Sequence, residues 1–213
     1  MKTPTRHVHG FRLNGNGTIV CIPGSPLASP QQGRVHEWRV MSPEDKETII
    51  AHLVHLLDGS DDAHDFLRQR AALLVDEMLE NALYAAPRDA RGQQLFRKGA
   101  RRAVLPDEQI TLRCAFDGER LALEVSDSWG SLSPETVRSF LALNLAAEGA
   151  ETDRAGRGLF FMWRLMDDFY VSVKPGEETT VGGTLPLNYP NPETVTPECR
   201  GGRKSRSPHA ARP

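Results

Sequence analysis

Apolar positions along the middle of the chain follow two periods, and their order outlines a fold. Val35 to Met41 (V-H-E-W-R-V-M) alternates apolar and polar residues, which predicts an edge strand. Ser42, Pro43 and Asp45 then supply an N-cap, a first helical position and a first-turn acid. The helix they open runs to about Asp58, with Ile49, Leu53, Leu56 and Leu57 on one stripe. From about Ala63 to Ala86 neither Gly nor Pro interrupts a helical spacing of Phe66, Leu67, Leu73, Leu74, Met78, Ala82 and Ala85, and Pro87 ends it. Gln109 to Phe116 and Arg120 to Ser126 alternate on either side of Asp117-Gly118, a hairpin signal. Ser133-Pro134-Glu135 opens a helix to about Ala147, and a loop then leads to Gly156-Arg157-Gly158 and a helical Leu159 to Met166. Phe169 to Val173 and Thr180 to Leu187 form a second hairpin around Pro175-Gly176.

This order predicts an α+β fold, a two-layer sandwich with helices over one face of a mixed, mostly antiparallel sheet, spanning residues 35–187. Residues 1–34 are rich in Gly, Pro, Ser and Gln, and only Gly17 to Ile22 resembles a strand. They are expected to form a flexible N-terminal segment, and residues 188–213 a disordered tail.

Composition narrows the classes without choosing among them. A chain of 213 residues, 39% hydrophobic and 25% charged, suits one domain of ~150 residues with dispensable ends. A net charge of −2 gives no bias toward nucleic acid or membrane. Cys21, Cys114 and Cys199 form no C-x-x-C pair and are expected to be reduced thiols. No apolar run approaches the ~20 residues of a membrane span, and the N-terminus lacks a signal-peptide core, so a cytoplasmic location is expected. Arg88 to Pro106 carries six cations against Asp89 and is expected to be a solvated loop. The tail cations Arg200, Arg203, Lys204, Arg206 and Arg212 lack aromatic neighbours for stacking, which argues against a specific nucleic-acid site.

Four separated motifs carry candidate chemistry. In L-L-V-D-E-M-L-E-N-A-L-Y-A-A-P, Glu77 and Asn81 are four residues apart on a helix and share a face. A carboxylate and an amide so placed can orient a hydroxyl and hold a hydrated Mg²⁺, although alone they read as a solvated helix face. V-S-D-S-W-G-S-L puts Asp127 at a strand end, where it can accept from an exocyclic amine, with Gly130 in the turn beside it; an Asp-initiated turn is the plain alternative. G-R-G-L-F-F-M (Gly156, Arg157, Gly158, Leu159 and onward) sets glycines at a helix start, where N–H groups favour phosphate. V-G-G-T-L-P-L places Thr184 on the last strand.

Together the four resemble the asparagine box and the three glycine boxes of the GHKL superfamily of ATPases (the Bergerat fold), which includes gyrase and the histidine kinases. Within it the layout looks most like the stand-alone anti-sigma-factor serine kinases, which carry Glu-x-x-x-Asn-Ala on a helix, as Glu77, Asn81 and Ala82 do here. The resemblance implies ATP and Mg²⁺ as cofactors. It implies Glu77 as general base, Asn81 as magnesium ligand and Asp127 as the adenine-binding acid, with Gly130 in the adjoining turn. Gly156, Arg157, Gly158 and Leu159 would begin the phosphate-binding helix, and Thr184 would support Asp127. It further implies a sigma factor and a STAS-type antagonist domain as partners, with a homodimer left open.

Three positions depart from the family pattern. Trp129 stands where a glycine is expected, Ala85 where relatives often carry His or another polar residue, and the lid segment between Ser131 and Gly156 is short. The alternative function is therefore an ATP-binding module without turnover that acts by partner capture. A detached histidine-kinase catalytic domain ranks last, because His52 and His55 are not followed by Glu or Asp.

Overall fold

The computed structural model of the chain describes residues 9–13, 19–20, 27, 33–133, 136–137 and 157–188. Its strands are β1 (His9–Leu13), β2 (Ile19–Val20), β3 (His36–Val40), β4 (Ile110–Phe116), β5 (Arg120–Asp127), β6 (Tyr170–Lys174) and β7 (Glu178–Pro186). Its helices are α1 (Asp45–Leu56), α2 (Asp62–Glu80) and α3 (Arg157–Leu165). The seven strands form one sheet in the order β2-β1-β6-β7-β5-β4-β3. Every pairing among them is antiparallel. The helices cover one face, giving the α+β two-layer sandwich. β2 lies within the strand-like Gly17 to Ile22, whereas β1 comes from the part expected to be flexible and pairs with β6 from His9↔Val173 to Arg12↔Tyr170.

Strict alternation explains the layering. Leu121, Leu123 and Val125 of β5 point into the core with Leu112 and Cys114 of β4, whereas Glu124 and Ser126 point to the other side. Against this apolar face α2 lays Leu67, Leu74, Val75 and Leu79, all fully buried, and α1 adds Ile49 and Leu53. Each buried leucine contributes about 1.5–3 kcal/mol relative to an exposed one. No helix among the described residues is long and apolar enough to cross a membrane.

Helix ends depart from simple capping in two places. Ser42 does not cap α1 with its side chain; instead the Asp45 carboxylate accepts from the N–H groups of Met41 (2.7 Å) and Ser42 (2.9 Å). A carboxylate has acceptor capacity for both donors, whereas a hydroxyl facing them has less. At its other end α2 continues into a π-helical turn, Asn81–Ala85, closed by Ala86 N–H to Asn81 O at 2.8 Å. Such single-turn insertions concentrate at functional sites. The Ser133 cap is present, its Oγ accepting from Thr136 N at 3.0 Å. The helix expected from there to Ala147 lies outside the described residues, apart from 136–137.

Candidate functional site

The site begins with a break in the core pattern. Directly opposed residues of an antiparallel sheet share a face, so Val40, Ile110, Asp127, Thr179 and Val173 form one row across β3, β4, β5, β7 and β6. Three are core residues; Asp127 and Thr179 are polar, yet only 7% and 4% exposed. Burial pushes the Asp127 carboxyl up to about 7. The N–H groups of Trp129 and Gly130 work against that shift, while Glu108 and Glu178 add to it. Asp127 Oδ1 accepts from Trp129 N at 2.9 Å. The Thr179 hydroxyl has no hydrogen-bond partner among the described residues. Leaving such groups unsatisfied in a core costs about 1–3 kcal/mol each, which marks this end of the row as a place for a polar ligand.

The second part of the site comes from two helices that pack on each other, α2 and α3. One turn of helix separates Glu77 from Asn81, so both side chains leave α2 on the side of Gly158, the second residue of α3. A Cβ on Gly158 would run into Glu77 Oε1 and lie 2.8 Å from Asn81 Nδ2. With no side chain at Gly158 the carboxylate and amide lie against the helix's first turn, where N–H groups lack intrahelical partners. The π-helical turn after Asn81 packs on β5, the strand that ends at Asp127.

Charges surround Glu77. Lys98 Nζ lies 3.6 Å from Glu77 Oε2 and 3.5 Å from Glu80 Oε2 with its side chain 67% exposed. Lys46 Nζ binds Asp76 at 2.8 Å and Glu80 at 2.5 Å. Desolvation alone would lower the Lys46 ammonium, but the two carboxylates outweigh it and hold it above its ordinary value. Glu80 is one acid among several on α2 and Lys46 arrives from α1, so neither stands out in the sequence, while Lys98 comes from the cation-rich segment expected to be a solvated loop.

The glycine of the strand-end turn has a defined task. Gly130 adopts φ +54°, its carbonyl accepts from Gly176 N at 3.0 Å, and a Cβ there would meet Gly176 N at 2.6 Å and the Lys174 carbonyl. It docks the turn beside Asp127 on the β6–β7 hairpin. Leu159 is buried in the core, anchoring the first turn of α3. Arg157 opens α3, and Gly156 lies outside the described residues.

Thr184 is not beside Asp127, and its expected supporting role is corrected here. It pairs with Ala122, whereas Asp127 pairs with Thr179. The two threonines are five residues apart, so Thr184 is far along β7 and, by strand alternation, on the opposite face. There its Oγ1 donates to Asp168 Oδ2 at 3.3 Å. Thr179 holds the position next to the acid.

Arg102 also departs from expectation. Rather than joining a solvated loop it is 3% exposed, paired with Glu108, and donates from Nη1 to Leu83 O at 2.7 Å. Its guanidinium stacks 4.0 Å from the Phe96 ring centroid. A polar trough of about 520 Å³ lies on the face of the sheet away from the helices, lined by Thr111, Arg113, Glu124, Ser126 and Thr180 among others. Asp127 is among its lining residues.

A buried acid and an unpartnered hydroxyl lie at one end of the site, and a carboxylate–amide pair against a glycine-opened helix at the other. A base with a polyphosphate suits that division, so the fold and site define a nucleotide-binding α+β domain of the ATPase class. Residues 60–182, more than half of the chain, match the histidine kinase-like ATPase domain, and the chain belongs to that family. No curated protein matches the chain.

An ATP-binding function follows at this level, and two substitutions separate the threonines. Thr179→Val is expected to weaken ATP binding several-fold, about 0.5–1.5 kcal/mol, without lowering the melting temperature of the free protein. Thr184→Val is expected to leave ATP affinity unchanged and cost about 1 kcal/mol of stability through its bond to Asp168. Calorimetric titration and melting curves of both variants check this.

Proposed function

We propose that the chain is a protein serine kinase of the anti-sigma-factor type, which holds a sigma factor and phosphorylates a STAS-type antagonist domain. The observation that carries this reading is the contact of Glu77 and Asn81 with the backbone of Gly158. In this reading Glu77 is the proton acceptor and Asn81 the oxygen ligand, beside a helix start that takes the phosphates. Mg²⁺, held by the Asn81 side-chain oxygen together with phosphate and water oxygens, would supply charge neutralisation. Such a site needs no larger protein ligand set.

The chain's own residues divide the remaining work. Asp127 accepts from the exocyclic amine of adenine. N–H groups of the first turn of α3 receive the phosphates. The serine oxygen bonds to the γ-phosphorus as the bond to the bridging oxygen breaks, and Glu77 accepts the serine proton. Asp76, Glu77 and Glu80 bring three carboxylates to this end of α2; Lys46 pairs with Asp76 and Glu80, and Lys98 lies near Glu77 and Glu80.

Transfer from labelled ATP to a purified STAS-type domain tests the proposal. Glu77→Gln is expected to slow transfer on the order of 10²–10⁴-fold while ATP binding persists. Equal transfer by wild type and variant, or none by wild type, defeats it. A second reading, ATP binding without turnover, is favoured by Trp129 in a glycine slot and by Lys98 lying against the proton acceptor. Micromolar ATP affinity with no phosphate release over hours supports that reading over the first.

A further inference from the structure

Trp129, the residue that departs most from the family pattern, is the end of a buried chain of contacts joining the two halves of the site. Its backbone N–H holds Asp127 Oδ1 (2.9 Å), and its indole Nε1 donates to Glu108 Oε1 at 3.0 Å. The other oxygen of Glu108 accepts from Leu105 N at 3.1 Å and pairs with Arg102. The Glu108 and Arg102 side chains are 1% and 3% exposed. Arg102 donates to the carbonyl of Leu83 in the π-helical turn that begins at Asn81. That carbonyl belongs to the last turn of the helix and has no partner within it, so Arg102 satisfies an acceptor that would otherwise be buried alone. Tyr84 fastens the same turn to the loop through its hydroxyl, 3.1 Å from Ala100 O.

We propose that Arg102, Glu108 and Trp129 form a positioning brace that fixes the base-recognising acid Asp127 relative to the phosphate end of the site at Asn81. The brace rests on the nucleotide reading above and deepens it. In the family pattern a glycine occupies the slot of Trp129 and can supply only backbone. Here the indole ties the turn to a buried carboxylate, and that carboxylate ties it to the helix carrying Asn81. In this brace each of the three acts through Asp127 or the π-helical turn. A ligand spanning both ends, such as ATP, needs the two ends in register. A ligand that occupies only the phosphate end does not.

The test compares ATP with inorganic tripolyphosphate, by calorimetric titration, for the wild type, Trp129→Phe and Glu108→Gln. Trp129→Phe keeps an aromatic ring and removes the indole donor. Glu108→Gln keeps an acceptor for the indole and removes the charge opposite Arg102. Both variants are expected to bind ATP about tenfold more weakly with tripolyphosphate affinity unchanged. A second readout follows from the two acids that face Asp127, Glu108 and Glu178. In Glu108→Gln one of them is neutral, so the titration of Asp127, read from the pH dependence of melting, moves down from its wild-type position.

Unchanged ATP affinity in both variants overturns the brace. So does a parallel loss for tripolyphosphate, which signals general loosening. Wild type that binds neither ligand overturns the nucleotide reading itself, a result distinct from either.

Discussion

With asparagine in place of Asp127, the protein is expected to melt at a higher temperature near pH 8 and to lose its response to ATP. The first half follows from linkage. The carboxyl has an ordinary value of 3.8 and is pushed to about 7 in the folded chain by burial. A folded-state value above the unfolded one means the native state holds the proton more tightly, so this group's contribution to stability is full below about 4. It is lost as pH rises toward about 7, at ~1.4 kcal/mol for each pH unit between the two values. Above that range the free protein carries a buried, ionised carboxylate, and the neutral amide removes the cost. The variant and wild type should therefore melt together near pH 4 and diverge toward pH 8.

The second half follows from the bond already made. Asp127 Oδ1 accepts from Trp129 N. An asparagine would keep its oxygen there and turn its NH₂ toward the adenine amine, donor against donor. At 100 times the dissociation constant, ATP stabilises the wild type by about 2.7 kcal/mol; the variant should show none of that. Melting curves at pH 4 and pH 8, with and without Mg-ATP, read both effects. A variant that is more stable yet unresponsive is not a misfolded one, which makes the pair decisive. An ATP-induced rise retained in the variant would remove Asp127 from the base site.

What could be read from sequence was local. The spacing of Glu77 and Asn81 fixes their common face within one helical turn, and Gly158 precedes an uninterrupted helical run, so those parts of the site needed no knowledge of the sheet. Thr184 failed because its meaning depends on register. The G-G-T triplet looks like a glycine box, but only the β5–β7 pairing reveals that Thr179 faces Asp127 and that an odd separation puts Thr184 on the far face. The π-helical turn inserts one residue into a helix, which a 3.6-residue period cannot register. Arg102 was counted with its neighbours as a solvated cation because its partner, Glu108, stands beyond Pro106 in the approach to β4. The strand His9–Leu13 (H-G-F-R-L) is too short to stand out from a segment rich in Gly and Pro.

The contact between α2 and α3 yields the second large effect. Gly158→Val is expected to reduce ATP affinity on the order of 10²-fold or more, since its Cβ would fall on Glu77 Oε1 and 2.8 Å from Asn81 Nδ2, and both groups must swing out of the geometry that phosphate and metal require. Helix propensity argues the other way, because replacing glycine by alanine inside a helix gains about 0.5–1 kcal/mol. The atoms a methyl group would meet are the ends of two flexible side chains, so Gly158→Ala should cost little stability while displacing Glu77 and Asn81. The two contributions separate in a double-mutant cycle with Glu77→Ala. Removing the carboxylate relieves the closer of the two approaches and leaves Asn81 Nδ2, so in that background Gly158→Ala should be more favourable than in the wild type, a coupling measured by denaturant unfolding. Additive effects would mean that Glu77 and Gly158 do not touch, and the proton acceptor would then have no place at the phosphate-binding helix.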